Sequence, residues 1–228
     1  MDSQVDLDKL FLITEKLRIQ AIGEPVWIPE KGVFEYTNQS IEVVAVLKAI
    51  RAAQGIKSLY LLCENGLFID MGAIYRCVND CSAEIYFLLE QYPLKSSNVE
   101  KFVNAFFETT IDGYLNVKTE HVITKKIHSA MVRTLTDLKQ DEEIRTRILN
   151  IYKTFSGYTH ANYAAIMQIY GGVLPDLSFN LPGVPSVRQR EMHMQLVEQA
   201  YFSVLYSIAF AAQKFGLTEI IREVVQCC

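Results

Sequence analysis

The densest polar chemistry in the chain lies between Tyr152 and Gly172, where one histidine, four tyrosines and one asparagine surround the Ser156-Gly157 pair that joins two amphipathic patterns. If a helix begins near Thr159, then His160, Tyr163, Ala164, Met167 and Tyr170 recur at three- and four-residue spacing and share one face. His160 would sit in the first turn. Unpaired N–H groups and the positive end of the helix dipole disfavour an imidazolium there, leaving a neutral ring able to accept a proton. Tyr158, Asn162 and Tyr163 flank it as candidate ligand contacts. The plainer alternative is that His160 caps the helix or bonds a tyrosine hydroxyl inside a bundle.

Two further sets of residues carry chemistry. Arg76, Asp80 and Glu84 step by four along one flank of an otherwise apolar helical pattern spanning 68–91. Charges in such a setting need partners, so the set is either a tie between helices or a small catalytic or anion-holding group. The other is Arg188-Gln189-Arg190-Glu191-Met192-His193 at the start of the last long helical pattern. A basic face formed by Lys118, Lys125, Lys126, His128 and Arg133 reads as solvated surface or as a contact for an anion or RNA. Cys77 and Cys81 could face one way on a helix, but without a second cysteine pair they read as small core residues rather than zinc ligands. There is no Gly-x-Ser-x-Gly elbow, phosphate-binding glycine loop or His-Glu-x-x-His. No metal and no cofactor is implied.

The elements that must hold these groups are nearly all helical. Half of the 228 residues are apolar, about a fifth are charged and the net charge is −4, which points to a thick core or a large subunit interface. That charge disfavours broad capture of nucleic acid and gives no strong DNA-binding signal. The longest uncharged stretch, between Glu198 and Lys214, is short for a membrane span and reads as a central buried helix. Five cysteines without an export signal place the chain in a reducing cytoplasm.

Apolar periodicity predicts an all-α helical bundle of about eight helices, long and antiparallel around one core. Residues 1–36 form an N-terminal helix and a proline-containing arm that packs onto the bundle or onto a second subunit with Trp27 as its anchor, and 37–228 form the bundle domain. Asn38 or Ser40 caps the first bundle helix, in which Gly55 is a candidate interruption and which Asn65-Gly66 ends. Ser97-Asn98-Val99-Glu100 has capping-box spacing. A helix over 119–138 turns Ile123, Ile127, Met131 and Leu135 inward. After Gly171-Gly172 a loop rich in proline leads to Ser186, the cap of the most apolar helix.

The helix with Gly66, Asp70, Arg76 and Glu84, followed by Ser156-Gly157-Tyr158-Thr159-His160, resembles an uncharacterised bacterial family of all-helical proteins that pair an Arg-to-Glu helix with a Ser-x-Tyr-x-His segment. The likeness covers residues 38–215. It implies a helical fold and a prokaryotic cytoplasmic setting, with no activity attached. Arg188 to His193 is also similar to the signature of HEPN-type ribonucleases, helical bundles that are often dimers, although Gln189 departs from the Asn, Asp or His usual after that arginine. That resemblance implies metal-independent RNA cleavage, in which His193 or His160 removes the 2′-hydroxyl proton and Arg188 steadies the phosphorane charge.

Two functions follow as expectations. One is a binding or interaction module, a homo-oligomer in which Arg76, Glu84, Tyr158 and His160 meet around a small anion or fix helix packing. The other is a toxin- or defence-type ribonuclease. The first requires the His160 imidazole to come beside the Arg76 guanidinium.

Overall fold

The computed structural model describes residues 5–108, 122–135, 142–173, 175–184 and 186–227. Among them, the periodic segments form nine helices: α1 (Leu7–Ala21), α2 (Ile41–Glu64), α3 (Phe68–Leu89), α4 (Ser97–Glu108), α5 (Thr124–Leu135), α6 (Glu142–Thr159), α7 (Tyr163–Met167), α8 (Val187–Lys214) and α9 (Thr218–Val225). The fold is an all-α helical bundle. Lys118 and the predicted helix ends at Thr119 and Leu138 lie outside the described residues.

Short polar side chains set the helix starts by accepting otherwise unpaired N–H groups. Asp6 accepts from Lys9, and Ser40 from Val43. Ser186 and Gln189 form a reciprocal capping box at the head of α8. At α4 the cap is one residue earlier than the sequence pattern predicts: Ser96, not Ser97, accepts the Val99 N–H at 3.3 Å. Asn65-Gly66 does end α2, where Leu67 N–H returns to the Leu62 carbonyl at 2.9 Å.

Helices α2 and α3 run antiparallel across the 65–67 connection, and α8 packs on both. Helices α5 and α6 cover another side of α3, α4 packs on α2, and α1 and α9 close the far side. Leu10, Ile13 and Leu17 of α1 have no exposed surface and lie in the same core as Val44, Leu59, Leu88 and Leu205. Each such side chain contributes about 1.5–3 kcal/mol of burial. The N-terminal segment thus shares the core through α1, and Arg18 ties the following arm to it through Glu15, Glu24 and the Gly23 carbonyl.

Two antiparallel hairpins interrupt the helical pattern. Strands β1 (Val26–Ile28) and β2 (Val33–Glu35) occupy the proline-containing arm. Trp27 does not anchor that arm to the bundle: it is 48% exposed and faces Phe34 across the hairpin, ring centroids 4.9 Å apart. Strands β3 (Tyr170–Val173) and β4 (Asp176–Phe179) replace the predicted loop, pairing β-favouring Tyr, Val, Leu and Phe around Pro175. Ile123 and Leu135 are exposed rather than inward, because the face of α5 that meets α3 and α6 carries Ile127, His128 and Ala130.

Gly55 does not interrupt α2. It lets α2 and α3 approach, since a Cβ there would lie 2.4 Å from Val78 Cγ2, a methyl with no exposed surface. Gly55→Ala is therefore expected to destabilise the protein by about 1–3 kcal/mol through overpacking, whereas Ala at the neighbouring exposed Gln54 changes stability by less than about 0.5 kcal/mol. Urea denaturation of the two variants checks the difference.

Candidate functional site

Helix α3 delivers its charged flank into the angle between α5 and α6. The Arg76 Nε donates to Asp80 Oδ2 at 2.8 Å, and the guanidinium lies over the Tyr152 ring of α6, 3.6 Å from its centroid. Asp80 Oδ1 is 3.8 Å from Nε2 of His128 on α5. The His128 imidazole is buried and meets the Tyr152 ring edge-on at 4.5 Å. A small cleft opens beside this group, walled by Arg76, Asn79, Asp80, His128 and Tyr152 together with apolar residues. His128, Tyr152 and Ile148 also wall a second groove between α5 and α6, about 280 Å³ in volume, mostly apolar, with Lys125 and Lys153 along it.

One turn further along α3, Glu84 pairs with Lys48 of α2 at 2.6 Å, both side chains largely covered. Burial raises the Glu84 carboxyl above its ordinary range, and the Lys48 charge works against that shift. The Lys48 ammonium also faces the Phe106 and Phe102 rings of α4 at 5.4 and 5.7 Å. Cys77 and Cys81 lie in this seam. The Cys77 thiol is held below the usual thiol range, chiefly by a hydrogen bond from Cys81 and then by the charges of Arg51 and Lys48. Cys81 is pushed up by the same pairing and by burial. Among the described residues, no cluster of three or more His, Cys, Asp or Glu side chains could hold a metal ion.

His160 is elsewhere. No helix begins at Thr159; α6 runs through Ser156-Gly157 and ends there, so His160 follows the last turn instead of opening a first one. Its backbone N–H still returns to Ser156, and its side chain is exposed. The dipole argument for a neutral imidazole therefore does not apply. Eight residues separate it from Tyr152, about 12 Å along the axis, and the Phe155 and Tyr158 rings fill the interval. Phe155 lies 4.1 Å from Tyr75 and 5.5 Å from Tyr158.

Tyr158 packs its ring on Gly72 of α3, where a Cβ would come within 2.3 Å of Tyr158 Cγ, and donates its hydroxyl to Gln168 at 2.5 Å. Asn162 caps α7 by accepting the Ala165 N–H, and Tyr163 is 80% exposed. Arg188 is exposed on the first turn of α8. His193 stacks on Phe68 with centroids 3.8 Å apart, its Nδ1 2.7 Å from the Gln189 carbonyl.

Of the residues singled out in the sequence, Arg76 stands at the cleft, Glu84 turns to Lys48, and Tyr158 braces the α3–α6 contact. His160, Asn162 and Tyr163 lie past the end of α6, and Arg188 and His193 lie on α8. His128, Tyr152 and Lys48 complete the polar seam, and no sequence pattern joins them to Arg76. His128 belongs to the basic face that reads as solvated surface or as a contact for an anion or RNA, yet it precedes Met131 by three residues and so lies on the inward side with it. The chain matches no family model, curated protein or solved structure.

Replacing Lys48 by Met strips the buried Glu84 carboxylate of its cation and is expected to cost about 3–5 kcal/mol at pH 8. The folded variant then holds the Glu84 proton to higher pH than the unfolded chain does. Its deficit shrinks as pH falls toward the ordinary carboxylate range and grows as pH rises through the elevated value. Equal penalties in urea at pH 5 and pH 8 would contradict this account.

Proposed function

We propose that this protein is a binding module for a small organic anion with an apolar body, its head at Arg76 and its body in the α5–α6 groove. One observation carries the reading. The Arg76 side chain is only 16% exposed and lies over the Tyr152 ring, yet it commits Nε alone to Asp80 and leaves its Nη edge without a hydrogen-bond partner among the described residues. A guanidinium presents five N–H donors in a fork that fits a carboxylate or phosphate edge. Donors held in a partly dry cleft bind such an edge more strongly than donors in water.

Asp80 already neutralises part of the Arg76 charge, so the head group has to share the guanidinium with it. Affinity must then come largely from the apolar body, which the neighbouring groove accommodates, while Lys125 and Lys153 add a positive field along its length. Tyr158 and Glu84 support this site indirectly, the first by setting the spacing of α3 and α6, the second by fixing Lys48.

The ribonuclease reading rests on Arg188 with His193 or His160. Arg188 and His193 are five residues apart on one helix, about 140° around its axis, so a single α8 does not turn both toward one phosphate. His160 belongs to a different element. Within one chain this geometry gives the ribonuclease reading no support, whereas the Arg76 donors beside the groove support the binding reading.

Sodium octanoate, 1-octanol and sodium acetate titrated into the protein by calorimetry test it. Octanoate is expected to bind more tightly than either of the others. Arg76→Leu should weaken octanoate by roughly 10- to 100-fold, the worth of a charge-assisted pair, and leave octanol unchanged. Octanoate binding no tighter than octanol would defeat the proposal. The expressed wild type should also leave cellular RNA intact and growth unaffected; RNA cleavage that disappears in His193→Ala or His160→Ala would replace this reading with the ribonuclease one.

A further inference from the structure

We infer that the β3–β4 hairpin and the residues flanking it form the surface through which two copies of this chain associate. Nine of the twenty-two exposed large apolar side chains among the described residues fall between Tyr163 and Met192, so exposed hydrocarbon is concentrated here rather than scattered.

The register Tyr170↔Phe179 and Gly172↔Leu177 puts Tyr170, Leu177 and Phe179 on one face of the hairpin. Each is 41–42% exposed. The Tyr170 and Phe179 rings are in edge contact at 5.0 Å. On the opposite face a Cβ at Gly171 would meet nothing within 4 Å, so that face is open at Gly171. An isolated two-stranded hairpin with both faces in water is marginally stable and offers unpaired edges.

The surface is nonetheless shaped in advance. The Asn180 N–H bonds the Ile169 carbonyl at 2.7 Å, and the Asn180 side chain bonds the Val184 backbone in both directions. That loop displays Leu181 and leads to Val187 at the head of α8, 79% and 76% exposed.

Two features fit a second copy. At about 200 Å² for a large side chain, the nine exposures amount to roughly 1,000 Å², so an interface that took in most of them would reach the ~800 Å² per partner of a stable complex. From Tyr163 through Val187 the sequence has one charged residue, Asp176. Two chains of net charge −4 repel least where they meet through such a surface, and a two-fold axis requires that it face itself.

Sedimentation velocity of the full chain at micromolar concentration should give twice the 26.0 kDa chain mass. Leu177→Glu/Phe179→Glu should raise the dimer dissociation constant roughly thirtyfold or more, with far-UV circular dichroism unchanged. Leu181→Arg, which has little packing to lose, should do the same. Phe34→Glu on the other hairpin should leave the dimer intact. A monomeric wild type, which would give this surface to a different partner, or a dimer that survives both β3–β4-region variants, overturns the inference.

Discussion

Helix α3 is enclosed by α2, α5, α6 and α8, so the charged side chains beyond its first turn cannot simply be sent into water. Arg76, Asp80 and Glu84 follow one another at four-residue steps and lie on one flank. Leaving any of them buried without a partner would cost several kcal/mol. The surrounding helices answer this constraint with a specific side chain each: α2 supplies Lys48 to Glu84, α5 brings His128 to Asp80, and α6 lays Tyr152 under Arg76. The polar seam is thus a consequence of packing a charged flank at the centre of the bundle.

That seam is satisfied unevenly, and the unevenness locates the candidate site. At the Glu84 end the ion pair is covered by the aromatic rings of α4. At the Arg76 end a small cleft is left between α3, α5 and α6, and an apolar groove between α5 and α6 adjoins it, the two sharing His128, Ile148 and Tyr152 as lining. The spacing is set by aromatic layers along α6. Tyr152 lies on the guanidinium, Phe155 on Tyr75, and Tyr158 on the bare backbone of Gly72. Any side chain at position 72 would push α6 outward, so a residue with no side chain sets the geometry of the site.

The outer surface follows a different logic. Through Tyr158, Asn162 and Gln168 the segment after α6 folds back on itself and then runs into a hairpin whose Tyr170, Leu177 and Phe179 are exposed. The residues that look most chemical in the sequence, His160 and Tyr163, lie in this connection. They are conspicuous there because loops expose polar and aromatic groups, while the groups that matter at the cleft are dispersed among apolar neighbours on three helices.

Helix type, a cap at Asn38 or Ser40, the cap at Ser186, the stop at Asn65-Gly66 and the charged flank of α3 are all readable from the chain alone, because each depends on residues within one or two turns of one another. The hairpins were less legible, since a short strand competes with a loop on propensity alone. Which histidine meets Asp80, which ring lies under Arg76 and which helix neutralises Glu84 depend on the crossing of α3 with α2, α5 and α6. Those crossings join residues from 36 to 76 positions apart, and they are governed by close approach at Gly55 and Gly72 that no local pattern encodes. Local sequence therefore determined the long helices, and tertiary packing alone decided which side chains share a cleft, because helix periodicity says which face a residue is on but not what that face will meet.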